Sequence, residues 1–283
     1  MPLQKMSQNE VLGNTAAHFF KSGNILRDET SEYQQLVELT KLLPVDAFKI
    51  EWDIWYDAAD RDGVNGFCYT DLMNQFLFLR PACTVRMYQN LTAAAKTPIT
   101  EEGEEIFNKI AECSDKYLLR ETTETPSFVI FLPGTNIFKK IVSNARLDNA
   151  IDQGAYLKQH PITALPLRGY LKKRFPEERV LDSRFSAYQM METAEIVGSF
   201  TNSEMGLAAL ARNKRVFLFN DVRNVYTFSA VYNAISPGGV PSVDRFKSVL
   251  SCKHSGLIPV HAHDPRTYVD GFFNRFKDEY IGS

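Results

Sequence analysis

The chain has 283 residues, 44% apolar and 23% charged, with a formal net charge of −2. That is the composition of a folded globular protein large enough for a sizeable core, and it excludes disordered and fibrous classes. No apolar run approaches the ~20 residues that span a bilayer, and the opening MPLQKMSQNE has no signal-peptide apolar region, so a cytoplasmic protein without a membrane partner is expected.

Residues 1–30 read as a loose polar arm or a first helix. From Thr30 to Leu43, Tyr33, Leu36, Leu39 and Leu42/Leu43 recur at helical spacing, with Pro44 as the stop. Ala47–Tyr56 alternates like a strand and leads into the polar loop Asp57–Gly66. Tyr69–Arg80 and Thr84–Ala95 are expected to be helical. Glu101–Leu119 is expected to be a charged amphipathic helix with Ile106, Ile110 and Cys113 on one side. Arg120–Ser127 (RETTETPS) has the composition of a linker. Beyond it, short apolar runs alternate with helical patterns to about Leu250, starting with the buried strand Phe128–Leu132 and the turn Pro133-Gly134-Thr135-Asn136. That alternation implies α/β architecture with a parallel sheet.

The two sides of the linker differ in charge. Residues 1–125 carry 12 Lys/Arg against 20 Asp/Glu, and residues 126–283 carry 20 against 14. The expected division is therefore an acidic unit 1–125 and a basic unit 126–283, the basic side suiting an anionic ligand.

The densest signal lies between Ala194 and Asn220. An apolar strand (AEIVGSF) runs into the turn Thr201-Asn202-Ser203, then a helix of small apolar residues (EMGLAALAR), then the strand KRVFLF. Ser203 suits the helix N-cap, Glu204 its first turn, and Asn213 the left-handed C-terminal position. Upstream, the short strand Tyr156-Leu157-Lys158 is followed by Gln159-His160-Pro161.

Together these segments resemble the C-terminal half of GT-B glycosyltransferases. The pattern is similar to that of capsule-polysaccharide sugar transferases, where a strand ending in Lys/His-Pro precedes a Ser/Thr-rich turn, a small-residue helix and a strand. The match spans Tyr156 to Tyr232, about a quarter of the chain. It implies a GT-B-like α/β fold with two Rossmann-like lobes, a cleft between them and a nucleotide-sugar donor, with UDP-glucose the expected one. Where those transferases tend to carry an acid for the donor ribose, this chain has Ala208, and Glu204 stands one turn earlier in its place.

In an open parallel sheet, ligands sit at the carboxyl ends of the strands. Gly134, Thr135, Lys158, His160, Thr201, Asn202, Ser203 and Glu204 are the expected donor-binding residues, joined by Asp221 and Arg223 after the last strand of the pattern. Donors aimed at the phosphates stabilise the charge that grows on the departing nucleoside phosphate.

A transfer that inverts configuration needs a base within reach of the acceptor hydroxyl, and Glu51, Asp53 and Asp57 are the candidates. No metal site is expected. Asp60-Arg61-Asp62 is a bare D-x-D, an EF-hand loop aligned on Gly63 loses both essential acids, and the widely spaced Cys68, Cys83, Cys113 and Cys252 make no C-x-x-C. His261 and His263 would share one face of a strand, with only Asp264 beside them.

In size and in its Phe-, Tyr- and Asn-rich texture the chain also resembles the DNA glucosyltransferases of T-even-like phages. That likeness implies hydroxymethylcytosine or its glucosylated form in double-stranded DNA as acceptor, with the host cytoplasm as location. Lys172, Lys173 and Arg174 are then the expected acceptor-binding residues. A capsule or lipopolysaccharide acceptor and a non-catalytic nucleotide-sugar-binding module are the rival readings.

Overall fold

The computed structural model describes residues 31–45, 50–52, 66–113, 115, 119–161, 163–220 and 228–280. Five parallel strands form one sheet: β4 (Phe128–Phe131), β5 (Tyr156–Lys158), β6 (Val180–Leu181), β7 (Ile196–Ser199) and β8 (Arg215–Leu218). Their order across the sheet is β6-β5-β4-β7-β8. The chain thus begins in the middle, builds outward on one side, and returns to build outward on the other.

Alternation along the strands explains why helices cover both faces. Ile130 and Leu157 point to one side, where they meet α4 (Thr135–Ile141), α5 (Asn144–Asp152) and α6 (Leu165–Arg174) through Phe138, Leu147 and Leu171. Val129, Phe131 and Val197 point to the other side, toward α7 (Ala187–Thr193) and α8 (Met205–Ala211). Strands buried on both faces read as continuous apolar runs, as Phe128–Phe131 does.

The small residues of α8 have a packing reason. A Cβ on Gly206 would come within 2.5 Å of the Tyr232 hydroxyl and 2.9 Å of Ser199 Cβ. Asn213 takes φ 57° at the end of α8, as its position predicts.

The remaining strands form a second, mixed sheet in the order β1-β2-β3-β9. β1 (Ile50–Trp52) runs parallel to β2 (Phe67–Leu72), which pairs antiparallel with β3 (Phe76–Pro81), and β3 pairs antiparallel with β9 (Leu257–Pro259). Two antiparallel pairings make this a mixed sheet, so the described residues contain one Rossmann-like unit where two were expected. Nor does the chain divide cleanly at 125. β9 crosses back to β3, and Phe272, Phe273 and Phe276 of α11 (Pro265–Tyr280) pack edge-on against Phe67.

The expected helix over Tyr69–Arg80 is instead the β2–β3 hairpin. Its turn holds Met73 and Asn74 at φ 56° and 57°, the left-handed pair of a type I′ turn. Every residue of both strands is buried, so the alternation that marks a half-exposed strand is missing. The helices α2 (Thr84–Ala94) and α3 (Glu101–Ala111) fall where expected, though α3 ends well short of Leu119. Thr100 caps α3 by accepting from the Gly103 N–H at 3.1 Å. α1 (Ser31–Thr40), α9 (Ser229–Ile235) and α10 (Val243–Ser251) complete the helices. His261 and His263 fall in the turn after β9, not on a strand, and no metal-type cluster occurs among the described residues.

Gly256 is the tightest backbone approach. It holds φ +91°, its carbonyl accepts from Leu79 N–H at 2.7 Å, and a Cβ there would lie 2.0 Å from Leu79 O. Gly238 has open space around it. Gly256→Ala should therefore cost more than about 2 kcal/mol in urea unfolding, while Gly238→Ala should stay within about 0.5 kcal/mol of the parent. Equal effects of the two would contradict this packing.

Candidate functional site at the carboxyl edge of the parallel sheet

The strand order creates one position where neighbouring strands send their chains to opposite faces. From β4 the chain passes through Gly134 into α4 on one face. From β7, its neighbour, it passes through Thr201–Ser203 into α8 on the other. The two loops diverge and leave a crevice, the topological switch point where ligands of open α/β sheets bind. The loop after β5, with Gln159, His160 and Pro161, leaves the same edge one strand away.

Side-chain bonds fix these loops. Asn220, just past β8, closes on Thr201 with both ends of its amide: Thr201 N–H donates to Oδ1 at 2.8 Å, and Nδ2 donates to Thr201 Oγ1 at 2.7 Å. Ser229 Oγ donates to the same hydroxyl at 3.0 Å. Thr201 is fully buried, so it braces the turn and does not offer its hydroxyl to a ligand. The N-cap of α8 is Glu204, one position later than expected; Ser203 Oγ accepts from Met205 N–H at 3.2 Å from just outside the helix, and Tyr232 OH donates to the Ser203 carbonyl at 2.7 Å. Burial drives the Tyr232 hydroxyl pKa up, which keeps it a proton donor. Across the crevice, Thr135 Oγ1 accepts from Ala164 N–H at 2.8 Å, tying the start of α4 to the start of α6.

Two expected donor-binding residues thus prove to be braces. Besides Thr201, Lys158 is 1% exposed, and its Nζ donates to the carbonyls of Gln159 at 2.8 Å and Ser183 at 3.0 Å, joining the ends of β5 and β6. Burial pulls its pKa down to about 7, with Asp115 and Asp182 opposing the fall and Arg168 adding to it. Glu204 also looks away from the crevice: its Oε2 accepts from Met73 N–H at 2.8 Å, linking the start of α8 to the turn of the β2–β3 hairpin.

What the crevice does present is His160, half-buried at the end of β5, with Gly134, Asn202 and Ser203. Around it lie buried polar atoms with no hydrogen-bond partner among the described residues: Asn202 Oδ1, Gln159 Oε1 and Thr163 Oγ1. Such orphans are rare in folded proteins, and their gathering at strand ends is what a polar ligand would resolve. The sequence reading gives Asn220, Ser229, Tyr232 and Thr163 no site role. A polar residue directly after a strand was the available signal for Asn220, and no sequence signal marks the others.

The expected acceptor residues sit elsewhere. Lys172, Lys173 and Arg174 form the last turn of α6, and a helix leaving a strand's carboxyl end returns to the amino edge of the sheet. Arg174 pairs with Asp148 and Lys172 with Glu177. Arg179 is likewise held at the amino edge, donating to Gly154 O just before β5. The basic triplet therefore does not flank the crevice. Of the expected bases, Glu51 lies in β1, while Asp53 and Asp57 fall outside the described residues, as do Asp221 and Arg223.

A cavity of about 900 Å³ lies apart from this edge, between the end of α3 and the pair α7–α8. Its polar wall is largely engaged already. Arg212 donates to the carbonyls of Ile110, Ala208 and Cys113, Lys214 to that of Glu192, and Gln189 accepts from Thr122 N–H. The strand ends, with their orphaned atoms, are the better candidate.

No protein-family model matches the chain, and no curated protein sequence does. Among solved structures, the chain is similar to KpsC of Thermosulfurimonas dismutans, a beta Kdo 2,7 transferase. The similarity covers 72% of this chain and 75% of that one, at 16% identity and a TM-score of 0.43.

The buried lysine yields a pH prediction. Its folded-state pKa of about 7 lies below the ordinary 10.5, so the unfolded chain holds the extra proton from pH 7 upward and folding gains stability as pH rises. Lys158 should contribute about 2 kcal/mol of added stability between pH 7 and 9. Lys158→Met should remove that rise in urea titrations at the two pH values. An unchanged slope in the variant would show that the amine titrates elsewhere.

Proposed function

We propose that the chain is a glycosyltransferase that binds a nucleotide-activated sugar at the β4/β7 crevice and passes the sugar to a carbohydrate hydroxyl. The observation that carries this reading is the switch point itself, with unsatisfied polar atoms gathered around it. The sequence pattern from Tyr156 to Tyr232, similar to that of capsule-polysaccharide sugar transferases, supports the same class.

In the proposed reaction the acceptor oxygen bonds to the anomeric carbon as the bond from that carbon to the phosphate oxygen breaks. The electron pair leaves with the nucleoside phosphate, and the hydroxyl proton passes to a carboxylate. His160 and the loop N–H groups would stabilise the charge on the departing phosphate. The base would come from Glu51, Asp53 or Asp57. A capsule or lipopolysaccharide glycan is the proposed acceptor. The phage-type DNA acceptor has lost its residue-level support, because the Lys172–Arg174 turn lies at the far edge of the sheet. UDP-glucose is the first donor to try.

The test is a panel of nucleotide sugars, UDP-glucose and CMP-linked sugars included, read first by thermal stabilisation. A ligand at ~100 times its dissociation constant adds about 2.7 kcal/mol. The stabilising donor is then supplied with an oligosaccharide acceptor and, as comparators, plain and hydroxymethylated DNA. Transfer to the oligosaccharide, reduced about 10–100-fold at subsaturating donor in His160→Ala, is the expected result. Transfer to DNA alone would reverse the acceptor assignment. Donor binding without any turnover would leave a sugar-nucleotide-binding module.

A further inference from the structure

Arg146 is the third residue of α5, and the function proposed above gives it no role. Its side chain reaches from the helix layer over the sheet's carboxyl edge, where Nη1 donates to Phe219 O at 2.9 Å. Phe219 immediately follows β8 and immediately precedes Asn220, whose amide clasps Thr201. The guanidinium is thereby anchored about one residue's length, ~3.8 Å along the chain, from the residue that braces the crevice turn.

Both surfaces under that anchor are fixed. Phe219 N–H donates to Ser199 O at 2.8 Å, and the Phe219 ring lies 6.0 Å from that of Phe200. One N–H of the fork is used. Among the described residues, no carboxylate pairs with the others, whereas Arg174, at the end of the next helix α6, is paired with Asp148 of α5. An exposed arginine with one arm fixed and the rest of a planar fork open is preorganised for a doubly bonded phosphate oxygen pair.

We infer that Arg146 is the phosphate-binding cation of the β4/β7 crevice, holding a phosphate of the sugar nucleotide while His160 approaches from the β5 side. This rests on the donor reading above. It also accounts for the site's charge balance, since Lys158 spends its amine on two carbonyls and the Lys172–Arg174 turn lies at the opposite edge.

The test is calorimetric titration of the full chain with UDP, CDP, ADP, GDP and CMP, each against its parent nucleoside. Arg146→Ala should weaken binding of the preferred nucleotide about 10–100-fold and leave nucleoside binding unchanged. Arg146→Lys, which keeps the charge and loses the fork, should fall between. Thermal unfolding without ligand should match the parent in both variants, because the side chain is exposed and makes one backbone contact. Wild-type nucleotide affinity in Arg146→Ala would overturn the inference and leave the donor reading standing. Failure of the parent chain to bind any of the five nucleotides would overturn both. Equal loss of nucleotide and nucleoside binding would make Arg146 a support of the β8 end and overturn its phosphate role.

Discussion

The carboxyl edge of the parallel sheet depends on one side-chain amide. Asn220 accepts at Oδ1 from the backbone N–H of Thr201 and donates from Nδ2 to the hydroxyl of the same residue, and both residues are buried. A buried polar pair of this kind is stable only when each atom is satisfied, and here the match is close to complete, with Ser229 supplying the third bond. The clasp joins the ends of β7 and β8, so the turn that leads into α8 cannot drift. The small residues of α8 act with it: Gly206 lets the helix settle onto Ser199 and the Tyr232 hydroxyl, and that hydroxyl then holds the Ser203 carbonyl. The crevice is a rigid consequence of close packing beneath it.

The same geometry separates what a sequence can show from what it cannot. The strands Phe128–Phe131, Tyr156–Lys158, Ile196–Ser199 and Arg215–Leu218 and the helix Met205–Ala211 are legible because apolar runs bounded by Gly, Pro and Asn identify βα units, and those units place Gly134, His160 and Ser203 at one edge. The direction of each hydrogen bond was not legible. Lys158 and Thr201 have the chemistry of phosphate ligands, yet their polar atoms turn inward to carbonyls and to Asn220. Glu204 has the chemistry of a ribose ligand, yet it accepts from Met73. The hairpin at Phe67–Pro81 escaped for a different reason. With both faces covered it shows neither period, and Leu-, Met- and Gln-containing stretches then read as helix.

Glu204 also gives the molecule its mechanical coupling. The carboxylate stands at the start of α8, directly after the crevice turn, and the N–H it accepts belongs to a hairpin tip in the other sheet. Met73 is held in a left-handed conformation that few residues other than Gly, Asn and Asp adopt readily. The bond therefore joins two locally constrained segments, and a shift of the mixed sheet is transmitted to the crevice turn with little slack. Tyr188 and Tyr232, both buried, feel the same carboxylate electrostatically.

The mixed sheet is assembled from distant parts of the chain: Phe76 pairs with Pro259, and Phe78 with Leu257. Closing so long a loop is entropically slow, and it precedes any reward from the contacts it makes. While the chain is being synthesised, β3 (FLFLRP) must wait with one edge unsatisfied until Leu257–Pro259, about 175 residues later, has emerged. An apolar strand with an open edge invites pairing with a neighbouring chain. The parallel sheet, whose strands all lie between Phe128 and Leu218, is free of that delay, so the β4/β7 crevice can exist on a nascent chain before the mixed sheet does.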